Sequence, residues 1–191
     1  MTYPDKRVSN PYRTASSDAI FATRAGLTDY AINAGDHSNT KLTNGPASIA
    51  AGDAMAPGIW PDMSDRNGIA HQRSQVTVAE IRDGTSNTYL IGEKYLNPDD
   101  YATGSDSGDN ENLYVGVDND HYRFTHPSFG ATRMDRSGTA LYSIFGSAHP
   151  SGWQAVLCDG SVRSLSYSMA PAIHSRLGNR RDGEALDGSA F

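Results

Sequence analysis

The stretch Phe145-Gly146-Ser147-Ala148-His149-Pro150-Ser151-Gly152-Trp153-Gln154-Ala155-Val156-Leu157-Cys158-Asp159-Gly160-Ser161-Val162-Arg163 decides how this chain is read. Apolar residues run up to Cys158, Asp159-Gly160 turns the chain, and Val162 and Leu165 carry it back. Asp-Gly between two such runs predicts an antiparallel hairpin over 153–167. A type I′ turn there requires φ > 0 at both central residues, which Asp and Gly tolerate. The hairpin is expected at the centre of a sheet. His149 stands ahead of the turn with nine residues between it and Asp159.

Composition points the same way. The 191 residues suffice for one domain with its own core, with 1–20 as a polar leading segment and 184–191 as a flexible tail. Only 37% of residues are hydrophobic and 19 are glycine, which favours short strands and shaped turns over a helical bundle. Sixteen basic against 22 acidic side chains leave a net charge of −6, which argues against a nucleic-acid partner. A lone cysteine, Cys158, rules out an intramolecular disulfide and a cysteine-based zinc cage. The chain as given has no apolar stretch long enough for a signal or membrane helix.

Outward from the hairpin, 33–65 is broken by Gly35, Gly45-Pro46, Gly52, Pro57-Gly58 and Pro61, and predicts a long surface loop anchored by Ile59 and Trp60. Thr77-Val78-Ala79-Glu80 fits a capping box opening a short helix, with Gly84 as its left-handed terminator. Residues 88–94 and 113–117 read as strands, Asp118-Asn119-Asp120 as a turn, and 121–138 as irregular. Pro171 suits the first position of a helix ending at Gly178.

Four blocks of the chain resemble one family. They are Thr28-Asp29-Tyr30-Ala31-Ile32-Asn33-Ala34-Gly35-Asp36, the stretch Ile81 to Lys94 around Asp83-Gly84-Thr85-Ser86-Asn87, the His149-x9-Asp159-Gly160 motif, and Ser166 to Gly183. In this order they are similar to motifs of the planctomycete domain-of-unknown-function family 1559, over the C-terminal portion of a member. The resemblance implies an α+β fold like the soluble head of a pilin or pseudopilin: an antiparallel sheet with long loops and short helices. The prepilin-type leader and N-terminal pilin helix of family members have no counterpart in this chain. It also implies an extracytoplasmic protein, at the cell surface or in the periplasm. His149, Asp159, Gly160, Asp83, Gly84, Ser86, Asn87 and Glu93 are the motif residues it marks.

The chemistry these residues could carry is weighed against a structural role. An imidazole at His149 oriented by Asp159 could act as a base or ligand, but no nucleophile–base–orienter set, Gly-x-Ser-x-Gly elbow or His-Glu-x-x-His motif accompanies it. The structural reading has the His149 ring bonding a backbone carbonyl at the start of the hairpin. Ser86 lacks a base at any suggestive spacing, and the short polar residues around it suit Asx- and ST-turns. Asp99, Asp100, Asp106, Asp109, Glu111, Asp118 and Asp120 form an acidic, glycine-containing stretch, the best candidate for a calcium ion, although the spacing is not that of an EF-hand. His121 and His126 are the only close histidines, a weak transition-metal signal. Ten tyrosines with Trp60 and Trp153 could face a sugar or peptide, or plug small cores beneath the loops.

Two functions of different class follow. The first is a non-enzymatic structural or surface protein, the soluble part of a pseudopilin-like subunit with protein partners in a type II secretion or pilus-like assembly. The second is a solute- or glycan-binding module using the aromatic loops, with calcium as support. An enzyme ranks behind both.

Overall fold

The computed structural model describes residues 6–7, 24–40, 46, 48–55, 60–114, 116–184 and 186, with the backbone alone at 6–7 and 24–25. Nine strands follow in chain order: β1 (Lys6–Arg7), β2 (Arg24–Ala25), β3 (Tyr30–Gly35), β4 (Tyr89–Glu93), β5 (Tyr122–Phe124), β6 (Arg133–Met134), β7 (Gly146–Ser147), β8 (Trp153–Leu157) and β9 (Val162–Leu165). Two α-helices, α1 (Ile49–Asp53) and α2 (Pro171–Gly178), and four 3₁₀ turns complete the described elements. The class is α+β. Its main sheet has the order β5-β3-β4-β8-β9. That sheet is mixed rather than antiparallel, because β5 runs parallel to β3 while the other pairs are antiparallel.

β8 shows the period of two expected of a half-buried strand. Trp153, Ala155 and Leu157 point into the core, while Gln154 is exposed and Val156 half-buried. Phe145 stacks on Trp153 with centroids 5.1 Å apart, and Tyr89 meets the indole edge-on at 5.4 Å. Leu165 from β9 and Leu177 from α2 close this cluster. Gly92 on β4 makes the arrangement possible: a Cβ there would lie 2.6 Å from Trp153 and 2.9 Å from Phe145. A second cluster gathers Ala34, Ala70, Tyr122 and Phe124.

The hairpin over β8 and β9 forms with the expected register, Trp153 opposite Leu165 and Val156 opposite Val162. Two features differ from expectation. β9 is an edge strand, so the hairpin flanks the sheet instead of sitting at its centre. The turn is also not type I′: Gly160 alone has positive φ (86°), Gly160 N–H donates to Leu157 O, and Leu157 N–H donates to Ser161 O. This is a three-residue loop with glycine at the left-handed position, which leaves Asp159 free to accept from Ser161 N and Oγ.

The capping box at Thr77–Glu80 is present and opens a 3₁₀ turn over Val78–Glu80. Gly84 (φ 99°, ψ 139°) does not terminate it; Ile81 does, and Gly84 is the N-cap of the next 3₁₀ turn, Thr85–Asn87. Asn33–Gly35 belong to β3, and Ser48 caps α1 through its Oγ, so 33–65 is less irregular than its breakers suggest. Ile59 lies outside the described residues. No strand forms at Leu113, Tyr114, Gly116 or Val117, because 113–114 turn and their side chains find no buried face. The stretch from 121 to 138 instead contributes β5, fully buried, and the short β6. α2 runs from Pro171 to Gly178 as predicted. Most of 1–20 and of 184–191 lies outside the described residues, but Leu186 packs against the first core cluster.

Candidate functional site

His149 and Glu93 come from separate sequence blocks and meet where β4 passes the start of the hairpin. His149 Nε2 lies 3.2 Å from Glu93 Oε1, while Glu93 Oε2 accepts from Gln154 N at 2.7 Å. The ring therefore pairs with a carboxylate rather than a backbone carbonyl, and it is 59% exposed. The pair lines a cleft of about 410 Å³ with Asp29, Tyr30, Tyr101 and Asp135. Asp135 accepts from Leu96 N and from the Tyr101 hydroxyl through a short hydrogen bond. Burial raises the Asp135 carboxyl and also pushes the Tyr101 phenol up, with the neighbouring Asp135 adding to the latter. Three carboxylates and two phenols around a half-open cleft can hold hydroxyl-rich or cationic solutes.

Most of the other residues in the blocks that carry the resemblance act as struts. Asn33 on β3 donates from Nδ2 to Tyr89 O and Gly178 O and accepts from Gly35 N, joining β3, β4 and α2. Asp83 accepts from Asp182 N and Gly183 N, and Asn87 Nδ2 donates to Asp83 O. The hairpin loop is bound to this segment through Asp159 N to Thr85 O and Cys158 N to Thr88 O. Ser86 is exposed and makes no hydrogen bond to a base among the described residues. His149 and Asp159, paired in the sequence motif, make separate contacts: His149 with Glu93, Asp159 with Ser161.

The acidic stretch is brought together around the protein's own cations. Lys94 Nζ donates to Asp109 Oδ1 (2.9 Å), Gly108 O (2.8 Å) and Asp120 O (3.1 Å). Arg123, fully buried, donates to Asn119 O, Tyr122 O and Gly108 O, and lies in the field of Asp120, Asp106 and Asp109. Asp106 accepts from Asn97 N and Gly108 N, and Asp120 from Glu111 N. Burial pushes the Asp120 carboxyl up to about 7, against the pull of the Glu111 amide and Lys94. Asp99 accepts from Ser137 and Gly138 N, which hold it below the usual carboxylate range. Asp100 accepts from Thr103 Oγ1 and Asn97 Nδ2, and Asp118 accepts from Asp120 N. Six of the seven side chains thus serve local bonds, Glu111 taking part through its backbone N–H, and among the described residues no group of three or more His, Cys, Asp or Glu is arranged to hold a metal ion.

The other histidines are similarly local. His121 Nδ1 contacts Gly116 O, whereas His126 Nδ1 accepts from Ser128 N as the cap of a 3₁₀ turn. His174 sits inside the aromatic cluster, 5.8 Å from Trp153 and 5.7 Å from Tyr89. Among the described residues no helix is long and apolar enough to cross a membrane. Sequence reasoning missed Asp29, Tyr101 and Asp135 in the cleft. A signal was available only for Asp29, within the Tyr-Ala-Asn-Gly block.

No curated protein and no solved structure matches the chain. The model of one family matches residues 7–172, a span containing the struts Asn33, Asp83, Asn87 and Asp159 as well as the His149–Glu93 pair. With most of its length matched, the chain belongs to the family described as proteins of unknown function, DUF1559.

Proposed function

We propose that this chain is a non-enzymatic extracytoplasmic structural protein, the head of a pseudopilin-like subunit whose partners are proteins of a type II secretion or pilus-like assembly. The observation that carries this reading is the use of the motif side chains. Asn33, Asp83, Asn87 and Asp159 are consumed in bonds that hold strands, turns and α2 together. A family motif spent on framework suits a subunit whose shape is its function. The test is to label intact source cells with a membrane-impermeant amine reagent, then cross-link and identify neighbours. Labelling together with cross-links to pilin-like proteins supports the reading; a protein found only in the cytosol refutes it.

A second reading is favoured by the cleft at His149. Tyr30, 49% exposed, stands beside Tyr101 and the carboxylates of Asp29, Glu93 and Asp135, a lining suited to a neutral glycan or small solute. Calorimetric titration with neutral oligosaccharides tests it, with Tyr30→Ala expected to lose whatever binding the native chain shows.

A further inference from the structure

A second cleft, of about 610 Å³, opens on the side of the molecule formed by residues 61–80 and the segment after α2. Its charged lining is Arg73, Arg180, Arg181 and Glu80, with His71 beside them. On a chain of net charge −6, three guanidiniums against one carboxylate are a local reversal of sign. Glu80 offsets little of it, because its Oε2 already accepts from Thr77 N and Oγ1 in the capping box.

Two features show that this is more than a chance cluster. Arg180 is 4% exposed; its Nη1 donates to Arg66 O and Gly68 O, yet its Nε is buried without a partner. An orphaned guanidinium N–H is costly unless something accepts from it. Arg73 is the only non-glycine described residue with positive φ, at 60°. From that strained, left-handed backbone its guanidinium lies 4.7 Å over the Trp60 ring. Stacked on its face, the guanidinium keeps its edge N–H groups available, and it makes no hydrogen bond among the described residues. Arg181 Nη2 donates to Ser64 O at 2.7 Å, which fixes the third cation in place. His71 donates through Nδ1 to Gln72 O. Burial and the nearby arginines hold its imidazole below its ordinary value, so at neutral pH it presents an uncharged Nε2 beside the cations.

We infer that this cleft binds an oxyanion, free or carried on a small acidic solute, with the guanidiniums of Arg73, Arg180 and Arg181 as its donors. Arginine forks match carboxylate, phosphate and sulfate oxygens in geometry as well as charge. The inference stands apart from both functional readings above, since neither uses these residues.

The test is thermal melting and calorimetric titration of the full chain with inorganic phosphate, sulfate, glucuronate and, as the uncharged control, glucose, at ionic strength held constant with sodium chloride. Expected is a rise in melting temperature with at least one oxyanion and none with glucose. Phosphate or sulfate alone would mark a tetrahedral anion or ester, and glucuronate alone a sugar acid. Arg73→Gln and Arg181→Gln, both at the cleft rim, should each weaken binding about tenfold. Each variant should unfold, without ligand, close to the native temperature. Arg180 is left intact because it also supports the backbone of residues 66–68. Superimposed melting curves for all three anions, an equal response to glucose, or unchanged affinity in both folded variants would overturn the inference.

Discussion

Replacing Lys94 by Met should be among the most damaging single changes available in this protein. The Lys94 side chain is 1% exposed and that of its partner Asp109 is 3% exposed. Lys94 Nζ satisfies one carboxylate and two backbone carbonyls, all within 3.1 Å. Methionine keeps the methylene packing but removes the ammonium from the Asp109 carboxylate and the Asp120 carbonyl, while Gly108 O keeps Arg123 Nη2 at 3.3 Å. Breaking a buried ion pair from one side costs about 3–5 kcal/mol, and the Asp120 carbonyl adds about 1 kcal/mol unless water reaches it. Allowing for some water entry, the expected loss is about 4 kcal/mol, a large part of a typical 5–15 kcal/mol. The assay is urea denaturation followed by tryptophan fluorescence, where a slope near ~2 kcal/mol/M gives a midpoint lowered by about 2 M. The double variant Lys94→Met with Asp109→Leu removes both charges together, and should recover at least about 2 kcal/mol relative to the sum of the single changes. A loss below about 1 kcal/mol for Lys94→Met, or simple additivity in the cycle, would show that the pair is hydrated and not the centre of the acidic loops.

His174 is buried without a partner for Nδ1, and burial lowers its pKa from 6.5 to about 4. The folded state therefore binds fewer protons than the unfolded one, so this contribution is complete above about 6.5 and lost as pH falls through 4. His174→Phe should flatten the acid arm of a stability–pH profile, and an unaltered arm would contradict the assignment. Asp120 acts in the opposite sense: raised from 3.8 to about 7, its contribution is present below 3.8 and lost as pH rises through 7, and Asp120→Asn should remove that slope in the same profile. Gly92→Ala forces a Cβ against the stacked Trp153 and Phe145 and should cost about 1–3 kcal/mol in chemical denaturation, whereas a neutral result would mean the rings can shift. Gly160→Val meets no atom within 4 Å, so only backbone strain at φ 86° opposes it; a loss of about 1–2 kcal/mol is expected, and an unchanged melting temperature would refute the turn geometry.

What could be read in the sequence was local. Asp159-Gly160 between apolar runs, Pro171 ahead of Gly178, and Thr77 with Glu80 each act within a few residues, and each produced the expected kind of element. β5 was not legible, because Tyr122-Arg123-Phe124 shows no alternation and is buried at all three positions with a charge in the middle. Its partner β3 lies some ninety positions earlier, so nothing nearby signals a strand. Lys94 and Arg123 were unreadable for a related reason: charged residues are almost always solvated, and only the fold shows that acidic loops wrap around them. The carboxylates of the His149 cleft were legible only in part, since Glu93 lies in a motif block but Asp135 is delivered by a loop far along the chain.

The two bonds donated by the Asn33 amide bear on how the chain is made. Its acceptors lie 56 and 145 residues further on, at Tyr89 and Gly178. At ordinary ribosomal elongation rates the second is synthesised roughly 7–30 s after Asn33 itself. Throughout that interval β3 lacks both the strand it pairs with at first and then the helix end that satisfies its buried amide. β3 therefore gains its full set of partners only late in translation. Ribosome-stalled chains that stop short of α2 should stay open to proteases and chaperones around β3, and gain protection once Gly178 has cleared the exit tunnel.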